Sequence, residues 1–215
     1  MIDAVVFDMD GVLVDSEPVW EEVRRAVVAE HGGRWAPDAQ QRLMGMNTAE
    51  WARYLSDELR VGLRPDAVAD LVVRRMGERY AADLPMLPGA VDAVRRAADR
   101  WPLGLASSSP RVLIDAVLAA AGIADLFAAT VSSDEVERGK PAPDVYLTAA
   151  ARLDVAPHRC AAVEDSSNGL RAAAAAGLRV IAVPRPDHPP EPDALAGAAV
   201  VVRSLTELTP ELLES

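Results

Sequence analysis

The chain has one cysteine in 215 residues, Cys160. A lone thiol forms no intramolecular disulfide. This one sits in the apolar run Cys160-Ala161-Ala162-Val163, as a small buried hydrophobe would. Positive charge is scarce: 22 lysines and arginines against 33 acids give a net charge of −11. Such a surface repels nucleic acid and anionic membranes and argues against both as partners. Histidine is scarce too. His31, His158 and His188 are scattered among polar neighbours, with no metal-ligand spacing. No apolar run reaches 18 residues, and no charged-then-apolar leader is visible. The expectation is a cytoplasmic globular protein.

What is present is an alternation of two periods. Residues 4–9 form a short apolar run ending in acid, the pattern of a buried strand with polar residues at its carboxyl end. Similar runs occupy 103–107, 129–132, 160–163, 180–183 and 198–202. Helical spacing separates them. Ser109 and Pro110 mark a helix start, with Ser109 as the expected N-cap. Val112, Leu113, Ala116, Val117 and Ala120 follow at helical intervals, and Gly122 ends the run. Residues 143–153 and 168–176 repeat the pattern. Strands alternating with helices predict an α/β fold, a doubly wound Rossmann-like parallel sheet with helices on both faces.

One stretch breaks the alternation. Residues 17–86 hold helical patterns and no strand signal, far more chain than a crossover needs. Trp20, Val23, Ala26 and Val27 mark one helix. Leu55 and Leu59 belong to another, and Val68, Leu71, Val72 and Met76 to a third. The expected division is a catalytic core of 1–16 and 87–215 with a helical cap of 17–86 inserted as a lid. Residues 184–192 form a proline-rich surface loop.

Ligands of open parallel sheets bind beyond the carboxyl ends of the strands. The first strand ends in Asp8 and Asp10, the second in Ser107 and Ser108. The loop after the third carries Gly139-Lys140-Pro141, and the fourth strand ends in Glu164 and Asp165. Crowded carboxylates repel unless a cation lies among them. Oxygen ligands without cysteine or histidine point to Mg²⁺. Mg²⁺ with a lysine and a hydroxyl is a phosphate-binding set.

Asp8-Met9-Asp10-Gly11-Val12 resembles the first motif of the haloacid dehalogenase superfamily. Leu105-Ala106-Ser107-Ser108 is similar to its second motif, Gly139-Lys140-Pro141-Ala142-Pro143-Asp144 to its third, and Val163-Glu164-Asp165-Ser166 to its fourth. The order and the position of the helical insert also match. The resemblance is greatest to the branch with sugar-phosphate phosphatases, phosphoglycolate phosphatase and β-phosphoglucomutase.

That resemblance implies a Mg²⁺-dependent phosphatase acting on a small phosphorylated metabolite. Asp8 would be the nucleophile and form an aspartyl-phosphate. Asp10 would be general acid, then general base. Ser107, Ser108 and Lys140 would hold the phosphoryl group. The metal would be bound by Asp8, Asp10 (through its carbonyl) and Asp165, with Glu164 reaching it through water. Asp15 and Glu17 fall in the flap and hinge, either structural or gating. Arg74 and Arg75 read as a solvated helix face. The rival readings are a phosphomutase of the β-phosphoglucomutase type and a non-catalytic phosphate-binding module. The mutases carry a histidine where Trp20 stands and an arginine near Gly45–Thr48, and this chain has neither. A monomer is expected, because the cap already covers the site.

Overall fold

A computed structural model of the chain describes residues 1–43 and 46–214. Strand β1 (Ala4–Phe7) is apolar and buried along its whole length. Val5 and Phe7 join one hydrophobic core, Ala4 and Val6 another. The split follows from the two-residue period of a strand. Burial on both faces is what a parallel sheet demands. β2 (Leu103–Ser107), β3 (Phe127–Ser132), β4 (Cys160–Glu164), β5 (Arg179–Ala182) and β6 (Val200–Val201) complete the sheet. All the pairings are parallel, in the order β3-β2-β1-β4-β5-β6. Val5 pairs with Leu103 on one side and Ala161 on the other. The strand order reverses between β1 and β4, so a crevice opens beyond their carboxyl ends.

The segment between β1 and β2 is helical, as its periodicity predicts. It contains α1 (Glu17–Glu30), α2 (Ala39–Leu43), α3 (Thr48–Arg53) with a π-helical turn at Tyr54–Glu58, and α4 (Pro65–Ala82). α1 turns Trp20, Val23, Val27 and Val28 inward. α4 starts at a proline, whose missing N–H costs nothing in a first turn. It buries Val68, Val72, Met76 and Tyr80. The two ends of the insert lie side by side. Val14 bridges Met86, and the Asp15 N–H donates to the Pro85 carbonyl at 2.8 Å.

Beyond the insert come α5 (Ala90–Ala98), α6 (Arg111–Ala120), α7 (Asp144–Arg152), α8 (Ser167–Ala175), α9 (Pro192–Ala196) and α10 (Pro210–Glu214). α5 and α6 cover the sheet face that carries Val5 and Phe7. α7 and α8 cover the other through alanines at 149, 150, 172 and 173, and Cys160 is buried there. This is the doubly wound sheet with inserted helical cap elements expected from the sequence. One local expectation fails. Ser109 does not cap α6, whose preceding residue is Pro110 and whose first turn has no side-chain cap. Asp10 takes that hydroxyl instead. Among the described residues, no helix is long and apolar enough to cross a membrane.

Candidate active site

Asp8 directly follows β1. Its N–H donates to the Val163 carbonyl at 3.0 Å, so the adjacent strand fixes its backbone. The chain then folds tightly on the Met9 carbonyl, which accepts from the N–H groups of Val12, Leu13 and Val14. Gly11 makes this turn with φ +82°. A Cβ there would stand 2.1 Å from Asp165 Oδ2, so glycine is needed for the space as well as the angle.

Lys140 reaches the end of β1 from the loop after β3. Its Nζ donates to Asp8 Oδ1 at 2.9 Å, Glu164 Oε1 at 2.6 Å and the Ala106 carbonyl at 3.0 Å. Those are the three bonds an ammonium can donate. Glu164 is fully buried, and both of its oxygens are taken. Oε1 accepts from Lys140 and from the Tyr146 hydroxyl; Oε2 accepts from the Asp165 and Ser166 N–H groups and the Ser166 hydroxyl. The Ser166 Oγ also accepts from the Gly169 N–H and caps α8.

Three acids crowd one ammonium. Burial pushes the Asp8 carboxyl up to about 8; Lys140 opposes this, while Glu164 and Asp10 add to it. Burial, then Glu164 and Asp8, raises Asp165 well above the ordinary carboxylate range. Burial alone would lower the Lys140 pKa, but Asp8 and Glu164 outweigh it and hold it above the ordinary lysine value. Asp8, Glu164 and Asp165 each offer an oxygen, all within 4.8 Å of one another. Asp165 Oδ1 is buried and has no hydrogen-bond partner. An unsatisfied oxygen among desolvated carboxylates fits a hard divalent cation, which would relieve both the repulsion and the orphaned lone pair.

Asp10 faces a different set. Its Oδ2 accepts from Ser109 Oγ at 2.8 Å and Ser107 Oγ at 3.2 Å, and the Trp20 indole N–H lies 3.5 Å from Oδ1. Ser107, expected at the phosphate, here bonds to Asp10. It is fully buried, spends its proton on Asp10 and accepts from the Ser109 N–H. Ser108 lines the open cavity, together with Asp8, Asp10, Lys140 and Asp165.

That cavity measures about 740 Å³, and the cap forms its far wall. Cap and core also meet directly: Thr48 Oγ1 donates to Asp134 Oδ2 at 3.1 Å. On the core side, Asp15 pairs with Arg185 at 2.9 Å, joining the flap to the proline-rich loop. Met46 lines the cavity and Asn47 caps α3, whereas Gly45 lies outside the described residues. Arg74 and Arg75 stay on the outer face of α4, paired with Glu78 and Glu30. Arg171 and Arg185 line the cavity from the core, and the arginine that the cap contributes is Arg24, which sequence reasoning missed. It stands four residues after Trp20 and three before Val27, on the buried stripe of α1, and that spacing was the available signal.

The profile of haloacid dehalogenase-like hydrolases matches residues 2–177. Hexitol phosphatase B of Escherichia coli K12 is 38% identical over an alignment covering 96% of this chain and 94% of that protein. Fructose-1-phosphate phosphatase YqaB of the same strain is 32% identical, covering 83% and 95%. The crystal structure of CbbY from Rhodobacter sphaeroides in complex with phosphate superposes with a TM-score of 0.88 at 28% identity, over 100% of both chains. With the motif residues gathered at one crevice, these matches establish that the chain belongs to the haloacid dehalogenase-like hydrolase family, as a capped phosphatase.

Proposed function

We propose that the protein hydrolyses a small sugar or polyol monophosphate through an aspartyl-phosphate on Asp8. The observation that carries this reading is Asp8 held at the end of β1 by a buried lysine, beside an unsatisfied Asp165 oxygen. Mg²⁺ held by Asp8, Asp165 and the Asp10 carbonyl would supply charge neutralisation for the phosphoryl oxygens. Glu164, with both oxygens occupied, holds Lys140 in place and would reach the metal through water. Lys140 steers the Asp8 carboxylate and adds positive charge beside the transferring group. The Ser108 side of the cavity contacts the non-bridging oxygens. Asp10, fixed by Ser107 and Ser109, protonates the leaving oxygen and then takes a proton from the attacking water. Residues 17–86 act as the lid that excludes bulk water.

The similarity to hexitol phosphatase B and fructose-1-phosphate phosphatase supports the substrate class. Trp20, uncharged and set against Asp10, favours water over a sugar hydroxyl as acceptor. The test is a panel of sugar, polyol and nucleotide monophosphates with Mg²⁺ and inorganic phosphate as readout. Release from sugar or polyol esters is expected, with activity lost in chelator and restored by Mg²⁺. With β-glucose 1-phosphate and a trace of glucose 1,6-bisphosphate, free phosphate should exceed glucose 6-phosphate. The opposite ratio would establish the mutase.

A further inference from the structure

Arg24 is the least expected charge in the molecule. Only 4% of it is exposed, yet among the described residues it makes no hydrogen bond and no ion pair. Its guanidinium stacks 4.5 Å from the Trp20 ring centroid and 5.3 Å from that of Trp51. Such stacking holds an arginine in place but supplies no acceptor for its N–H groups. Burial lowers its pKa to about 10, and nearby Glu17 and Asp10 offset part of that cost. Gln40 sits in the same wall. Its Nε2 donates to Glu17 Oε2 at 2.7 Å, while its Oε1 is buried without a partner. Arg24, Gln40 and Glu17 all line the cavity that holds Asp8.

A buried, unsatisfied donor and an unsatisfied acceptor in the lining of one cavity are costly unless something fills both. A second phosphate or a carboxylate at this place would satisfy Arg24 alone. It would leave Gln40 Oε1 without a donor and would face the charges of Glu17 and Asp10. A hydroxyl both donates and accepts, so neighbouring hydroxyls satisfy the arginine, the amide oxygen and the carboxylate together. We propose that Arg24, Gln40 and Glu17 form a distal subsite for the hydroxyl groups of an uncharged polyhydroxyl tail, so that the enzyme selects monophosphates over bisphosphates. The inference rests on the phosphatase reading above, with the phosphoryl group at Asp8.

Binding is measured apart from turnover so that the two readings fail separately. Asp8→Asn protein with Mg²⁺ is titrated calorimetrically with a hexitol monophosphate, with hexyl phosphate, which has no tail hydroxyls, and with a hexose bisphosphate. The hexitol ester should bind about tenfold or more tighter than hexyl phosphate, the size expected of hydrogen bonds to a charged group. Adding Arg24→Met should cut that preference to about threefold or less, and Gln40→Met should cut it by a smaller factor through loss of one acceptor. If the Arg24 variant does not fold, Gln40→Met decides. Equal weakening for both monoesters would reduce these residues to packing and overturn the proposal. Tighter binding of the bisphosphate than of the monophosphate, abolished by Arg24→Met, would overturn it in favour of an anion site. Failure of phosphate release by the wild-type enzyme would count against the phosphatase reading, while the binding preference would still decide the subsite.

Discussion

Gly169 occupies the first turn of α8, and replacing it by alanine should cost stability where helix propensity alone predicts a gain. Alanine improves on glycine within a helix by roughly 1 kcal/mol. At Gly169, however, the added Cβ would stand 1.6 Å from Glu164 Oε1 and 1.9 Å from its carboxyl carbon. A flexible surface glutamate would swing aside. Glu164 is fully buried and holds Lys140, Tyr146, two backbone N–H groups and the Ser166 hydroxyl, so it has nowhere equivalent to go. Displacing it breaks one arm of a buried ion pair, a loss of about 3–5 kcal/mol. The net expectation is destabilisation of about 2–4 kcal/mol, which for a chain of this size lowers Tm by roughly 4–16 °C. Gly77 in α4 is the control. Its added Cβ would lie 4.0 Å from Leu113 Cδ2, an ordinary contact. Gly77→Ala should therefore raise stability by about 0.5–1 kcal/mol. Both variants are compared with wild type by urea denaturation and calorimetry, with phosphate release measured in parallel. Gly169→Ala should also lose activity, because Lys140 loses its anchor. Wild-type Tm and activity in Gly169→Ala would refute the claim that Glu164 is immobile.

Three further outcomes are expected. Asp8→Asn should keep the fold and lose activity, because it preserves size but removes the nucleophile; retention of more than about a tenth of wild-type turnover contradicts covalent catalysis. Ser109→Ala removes a 2.8 Å bond to Asp10 and should lower kcat about 10-fold or more with little change in KM; a kcat within twofold of wild type removes Ser109 from the site. The metal-free protein should become less stable as pH rises. Asp8 and Asp165 have folded pKa values above their unfolded ones, so the native state binds more protons, and their contribution is lost as pH climbs toward about 8. The gain in Tm on adding Mg²⁺ should accordingly grow between pH 6 and pH 8.5, and a flat or shrinking gain in calorimetry defeats the metal assignment.

Much of this architecture was readable in the one-dimensional pattern, for a physical reason. The buried strands of a parallel sheet are continuous apolar runs, and an acid directly after such a run sits at a carboxyl end whatever the distant chain does. That placed Asp8, Asp10, Ser107, Glu164 and Asp165 at the crevice, and the length of the strandless stretch 17–86 announced the helical insert. Helical spacing likewise put Trp20 and Val23 on the inner face of α1. Side-chain direction was a different matter. Arg24 and Arg25 are adjacent and chemically alike, yet one stacks against two tryptophans while the other pairs with Glu21 at the surface. A local signal near Trp20 marks the stripe, but only packing against Trp51 buries the charge. The hydroxyls of Ser107 and Ser109 could point to a phosphate or a helix end by local preference, and Asp10, about a hundred residues away in the chain, draws both. Glu164 could face a metal or a lysine, and Lys140, arriving from the loop after β3, turns it inward. Local sequence determined which elements form and where their polar ends lie, because hydrophobic period and turn chemistry are short-range. Tertiary structure alone decided which charge meets which, because the partners of a buried polar group come from parts of the chain that local pattern does not connect.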